Sequence, residues 1–241
     1  MASAHSVIWI TGGGSGIGRA TALAAARAGW EVALSGRDEE RLQAVAAEIA
    51  ERGGRAVTVP LDVADRDAVA AAGRAVLDQL GRLDAVVHAA GANTPRRRWA
   101  DQSMAEFDEI VGVNLHGAAA VIDAALPALR ESAGQVVLIA SQSAWTFNRG
   151  AGVAYSASKA GLSALCRTLN DQENEHGVKA CCLHPGDVST DFLLQRPVVP
   201  DAAARTRMLT PDDVARAVFF VLESPAHVRV DELVMTPLYQ G

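Results

Sequence analysis

Seven short apolar runs, separated by longer helical stretches, constrain this chain more than any other feature. The runs are Val7–Ile10, Glu31–Ser35, Ala56–Pro60, Ala85–Ala89, Gln135–Ala140, Lys179–His184 and Glu232–Met235. Most are continuously apolar, as strands buried on both faces are. Between them lie Ala-rich segments such as Ile17–Ala28, Glu39–Arg52 and Arg66–Leu80, long enough to cover a sheet as helices. This order predicts an α/β chain: a three-layer, doubly wound Rossmann fold with a seven-stranded, mostly parallel sheet. There is no repeat or low-complexity linker, so residues 1–241 read as one domain. The least regular stretch, at about 187–210, follows the sixth strand. Ligands of such sheets bind beyond strand ends, so a substrate loop is expected there.

Composition narrows the function classes. Hydrophobic residues make up 49% of the chain, too many for a disordered protein. The formal charge of −6 argues against a binder of nucleic acid. Three cysteines, Cys166, Cys181 and Cys182, have no disulfide or metal-ligand spacing, which fits a reducing compartment. No secretory signal and no uncharged apolar run of membrane-spanning length is read, so a cytoplasmic protein with no membrane partner is expected.

Several strand ends carry residues suited to a dinucleotide. "TGGGSGIG" follows the first strand and opens the first helix, with Gly12, Gly16 and Gly18 spaced G-x-x-x-G-x-G. Glycines let the backbone approach a pyrophosphate, and the helix N-terminus offers it free N–H groups. The second strand ends at Gly36 and Arg37, with no carboxylate for ribose hydroxyls. Arg37 is suited to a 2′-phosphate, with Ser15 and Ser35 as lesser contacts. Asp38 reads as the N-cap of the next helix. Asp62 and Val63 are candidates for the adenine, or Asp62 is only a helix-terminal carboxylate. Ala89, Ala90 and Gly91 would let a cofactor pass close to the fourth strand.

A second group suits proton transfer. Tyr155 and Lys159, four residues apart, share a face of one helix. A free Tyr holds its proton to a pKa of about 10, so a base for neutral pH needs it held about 4 kcal/mol less tightly. A unit charge about 4 Å away supplies about 4 kcal/mol at an effective dielectric of about 20. Ser141 and Ser143 close the fifth strand, fourteen and twelve residues before Tyr155. Ser141 is preferred because it directly follows the strand. Asn114 sits among apolar residues, either as a functional amide or as a satisfied core one.

Together these segments, in this order, resemble the short-chain dehydrogenase/reductase family over about Val7 to Met235. They are "TGGGSGIG", "HAAG", the Asn of "VNL", the strand-end Ser, "YSASK" and "HPGDVST". The resemblance implies reversible hydride transfer between NADP(H) and a ketone or secondary alcohol. Tyr155 would be the acid/base, Lys159 would lower its pKa and hold the nicotinamide ribose, and Ser141 would bind the substrate oxygen. Asn114 would support a water relay to Lys159. Ile17 and the segment holding Pro185, Gly186, Val188 and Thr190 would contact the cofactor. No metal is expected, and a homo-oligomer, tetramer or dimer, is. It would form through the helix holding Ala157, Ala160, Gly161 and Ala164 together with the helix around "VNL".

Three departures stand out. His88 and Ala89 replace the family's Asn-Asn, and His88 would have to supply the bond between strands. The Ser141–Tyr155 interval is one residue longer than the commonest spacing, which makes Ser143 a rival. The ending "RVDELVMTPLYQG" is similar to NADP-dependent 3-hydroxy acid dehydrogenases, so the alternative reading is such an enzyme with an Arg for the carboxylate. A non-catalytic NADP-binding sensor is the alternative from another class. Trp145 and Phe192 are expected to line the substrate pocket, with Trp99 and Phe147 as further walls. The run Arg96–Arg98, in the loop after the fourth strand and near the expected cleft, either attracts an anionic substrate or is a solvated surface run, and the second reading is preferred.

Overall fold

The computed structural model describes residues 6–238. Seven strands form one sheet: β1 (Val7–Thr11), β2 (Glu31–Ser35), β3 (Ala56–Thr58), β4 (Ala85–His88), β5 (Gln135–Ile139), β6 (Lys179–Pro185) and β7 (Glu232–Met235). The helices are α1 (Gly16–Arg27), α2 (Glu39–Glu51), α3 (Arg66–Leu80), α4 (Met104–Val111), α5 (Gly117–Ser132), α6 (Gln142–Trp145), α7 (Val153–Glu173), α8 (Ala202–Arg205) and α9 (Pro211–Leu222). Strand order is β3-β2-β1-β4-β5-β6-β7. Every pairing is parallel, so the sheet is wholly rather than mostly parallel. Helical crossovers between successive strands permit no other sense.

The two faces of each strand explain the unbroken apolar runs. In β1, Val7 and Trp9 enter a core shared with Val69 of α3, Val121 of α5 and Leu162 of α7. Ile8 and Ile10 point the other way, to Leu23 of α1, Leu42 of α2 and Val218 of α9. A strand buried on both sides has no solvent face to mark with polar residues. Trp9 is fully buried, and its indole Nε1 donates to Ser35 Oγ at 2.9 Å. His88 does tie strands together: its Nδ1 lies 2.9 Å from Thr11 Oγ1, between β4 and β1.

A π-turn at Gly112–His116 joins α4 to α5. The resulting continuous helix, Met104–Ser132, has the length and composition to cross a membrane, although its acids and arginine interrupt any uncharged run of that length. It is a core helix: Ile110, Val121 and Leu129 on its inner face are buried. Strand order turns back between β1 and β4. That reversal opens a crevice beyond the strand ends, where open α/β sheets take their ligands.

Candidate active site

The crevice is a cleft of about 740 Å³. Its first wall is the turn from β1 to α1. Gly13 N–H donates to Ser35 O at 3.0 Å and pins that turn to β2. A Cβ on Gly18 would fall 2.1 Å from Gly12 O, and one on Gly12 would fall 2.7 Å from Ala90 N. The backbones therefore approach as only glycine allows. Ser15 caps α1 without a side-chain bond to it, and the first turn holds no acid. Its N–H groups and positive dipole end are left for an anion. That cradle fits the pyrophosphate of a dinucleotide.

The next wall is the end of β2. Arg37 is exposed at the rim, and among the described residues its side chain has no partner. Asp38 caps α2 by accepting from Arg41 N–H at 3.1 Å, which commits it to the helix. Arg41 Nε lies 3.2 Å from Asp38, and its Nη1 lies 3.6 Å from Asp191 across the cleft. Asp62 accepts from Ala64 N–H at 3.0 Å in a tight turn. It is not the helix-terminal carboxylate, because Asp65 caps α3.

The far end carries the titratable groups. Ser141 ends β5 and caps α6. Its Oγ accepts from Ser143 Oγ at 2.9 Å and from Ser143 N–H at 3.2 Å. Its hydroxyl shares the cleft with the Tyr155 phenol and favours the ionised form of that phenol. The Ser141 and Ser143 hydroxyls both line the cleft, bonded to each other. His184 Nδ1 lies 3.1 Å from Ser141 O and fixes the strand end from β6. Lys159 is buried, 5.8 Å from the Tyr155 ring centroid, and its Nζ donates to Ile139 O at 2.7 Å. Burial pushes the Lys159 pKa down to about 8.

Tyr155 does not follow the expected direction. Burial pushes its pKa up, against the Ser141 hydroxyl and the positive charges of Arg97 and Arg196. Desolvation of the phenolate outweighs the hydroxyl and the two guanidinium charges that favour it.

Of the expected site residues, all but five line the cleft. One of the five, Ser35, is fully buried, its Oγ accepting from Trp9 Nε1 and donating to Val59 O, so it does not reach a cofactor. Asn114 is fully buried behind it, in the π-turn. Its Oδ1 accepts from Ala92 N–H at 2.7 Å, while Nδ2 donates to Ala92 O and to Ser158 Oγ, each at 3.0 Å. A Cβ built on Gly91 would lie 3.5 Å from both Asn114 Oδ1 and Lys159 Nζ, so the two flank one backbone site. Trp145 turns away, packs on His184 and borders a separate hollow with Ala160 and Arg167. Trp99 and Phe147 are almost fully exposed and leave the cleft as well. Phe192 does line it, its ring centroid 6.0 Å from that of Tyr155.

The reading of Arg96–Arg98 as solvated fails at Arg97, which is half-buried in the cleft wall. Arg97 thus returns to the cleft from a run set aside as surface, and Arg196 and Gln195 were missed as site residues. Their only signal was position, in the loop after the sixth strand.

The family model for short chain dehydrogenases matches residues 6–197. The chain belongs to that family. An uncharacterised oxidoreductase of Staphylococcus aureus is 32% identical over 230 residues, 95% of this chain and 96% of that one. This short-chain dehydrogenase is also similar to an alcohol dehydrogenase of the archaeon Thermococcus sibiricus, solved with 5-hydroxy-NADP. The two are 33% identical with a TM-score of 0.87, over 98% of both chains. A serine dehydrogenase solved in its closed form with NADP+ is 27% identical. Its TM-score is 0.89, over 98% of this chain and 96% of that one. The protein is an oxidoreductase whose solved neighbours include NADP complexes.

Proposed function

We propose that this dehydrogenase moves hydride between NADP(H) and a ketone or secondary alcohol. The observation that carries the reading is the buried Lys159, 5.8 Å from the Tyr155 ring centroid, with Ser141 in the same wall where the glycine cradle meets the rest of the cleft. A sensor would need the cradle alone. The nicotinamide would supply or accept the hydride. Ser141 and Tyr155 both line the cleft, and a carbonyl oxygen placed between their hydroxyls would take a bond from each. As hydride reaches the carbonyl carbon, Tyr155 Oη gives its proton to that oxygen; alcohol oxidation returns it. Lys159 has two ammonium donors left for a ribose hydroxyl. Asn114 holds the Ala92 backbone, and with it the wall beside Lys159.

Both relatives solved with an NADP form favour NADP(H), as does an Arg37 with no partner of its own. Tyr155→Phe should keep cofactor binding and lose turnover by about a hundredfold or more, the scale of acid/base catalysis. Single-turnover hydride transfer at the wild-type rate would sink the assignment. A raised Tyr155 pKa also sets the sign of the pH profile: ketone reduction keeps its proton through neutral pH, while alcohol oxidation speeds up as pH rises.

Self-association is part of the same proposal. Ala157, Ala160 and Ala164 form an exposed small-residue face on α7, whereas Gly161 is taken up against Leu115 within the chain. Light scattering at micromolar concentration should give a multiple of 25.2 kDa. A monomer would reject the oligomer.

A further inference from the structure

On the reading that Ser141 and Tyr155 hold the reacting oxygen, we propose that the substrate carries a carboxylate and that Arg97 binds it. Arg97 is clamped from three directions. Its Nε donates to Thr94 O at 2.9 Å, Nη1 to Gly150 O at 2.8 Å and Nη2 to Gln195 O at 2.9 Å. Its stem lies against Gly152, where a Cβ would meet Arg97 Cβ and Cγ at 3.2 Å. The guanidinium is therefore held rigidly in the wall of the cleft, and two of its five N–H donors stay free.

What the clamp does not supply is an anion. Among the described residues no carboxylate pairs with Arg97, while its neighbour Arg196 is matched by Asp187. A half-buried cation held by neutral carbonyls alone bears a desolvation cost that a partner of opposite charge would offset. Tyr155 feels the Arg97 charge, so the cation faces the end where chemistry is placed. A planar fork with free donors is matched by a carboxylate better than by any neutral group. The substrate is then a hydroxy acid or oxo acid, its reacting oxygen at Tyr155 and its carboxylate at Arg97.

The test is a pair of compounds differing only in charge. Oxidation of 3-hydroxybutanoate and reduction of 4-oxopentanoate are each compared with the corresponding methyl ester. Wild type should favour the acids by about tenfold or more in kcat/KM, the size of a charge-assisted pair. Arg97→Met should bring the ratio of acid to ester close to one. Arg97→Lys keeps the charge without the fork and should fall between, and it carries the test if the Met variant does not fold. No preference in wild type, or a ratio unchanged by substitution, overturns the assignment. An equal loss on acid and ester also overturns it, by making Arg97 only a staple between loops. Binding of 4-oxopentanoate and its ester to NADPH-loaded Tyr155→Phe, read by nicotinamide fluorescence, needs no turnover. Acid selectivity there, with no turnover of any substrate by wild type, counts against hydride transfer and leaves Arg97 standing. Lost selectivity with normal turnover of the ester counts against Arg97 alone.

Discussion

The two halves of the cleft are held by different means. The nucleotide half is backbone against backbone: Gly12 against the end of β4, Gly18 against Gly12, Gly13 N–H on Ser35 O. Each piece sits at the end of a strand, within a few residues of the element that places it. The substrate half is held by side chains reaching across the chain. Arg97 bonds carbonyls 53 and 98 residues away, and Asn93 N–H donates to Gln195 Oε1 over 102 residues. The first half tolerates almost no added volume. The second depends on which side chains meet, and that is where a scaffold of this kind can change its substrate while keeping its cofactor.

The largest effect should come from breaking the tight half. Gly18→Val places atoms where Gly12 O already stands. Overpacking of a filled interior costs about 3 kcal/mol at the upper end of its usual range. For a domain of this size that lowers Tm by about 6–12 °C. Cofactor binding should fall with it, because the displaced turn carries the N–H groups of the cradle. Thermal unfolding and NADPH titration check both. A variant with wild-type Tm and affinity would show that the turn has slack the close contacts deny.

The same contrast explains what could be read in advance. The strands were legible because burial on two faces leaves no polar alternation, and the cradle because only glycine allows its approaches. Trp145 and Arg97 were misplaced for one reason: each lies in a loop, where no periodicity tells inside from outside. Trp145 followed the strand-end Ser closely enough to suggest a pocket wall, yet the short helix α6 rotates it onto His184. Arg97 stood between two other arginines and read as solvent-facing. Its burial depends on carbonyls from two distant loops, invisible to a local reading. The Tyr155 charge balance failed likewise, since helical spacing places Lys159 but says nothing about desolvation.

A middle-sized effect should separate the rim from the cradle. Arg37 is exposed and its side chain makes no hydrogen bond or ion pair among the described residues, so its loss should leave the fold intact. Arg37→Ala should reduce the preference for NADP over NAD by about ten- to two-hundred-fold, the value of one or two charge-assisted bonds to a 2′-phosphate. Comparing kcat/KM for both cofactors in wild type and variant measures it. Equal efficiency in wild type, or an unchanged ratio, would move phosphate recognition elsewhere, with Arg41 next in line.

The smallest effect should come from an ion pair that spans the two halves. Arg41 belongs to α2 in the nucleotide half, and Asp191 lies on the segment after β6. Their charges are 3.6 Å apart, with side chains 55% and 69% exposed. So exposed a pair contributes at most about 1 kcal/mol and is screened by salt. Asp191→Asn removes one carboxylate from the edge of the cradle and leaves Arg41 with Asp38 as its only acid. A phosphate arriving there would meet less repulsion and a freer guanidinium. NADPH should therefore bind up to about fivefold more tightly in the variant at low salt, and the difference should fade near 1 M salt, where charges are screened within about 3 Å. Fluorescence titration across ionic strength decides it. Weaker binding in the variant would mean that the pair works mainly by holding the segment after β6 over the cofactor, and that the two halves are coupled more tightly than their separate means of support imply.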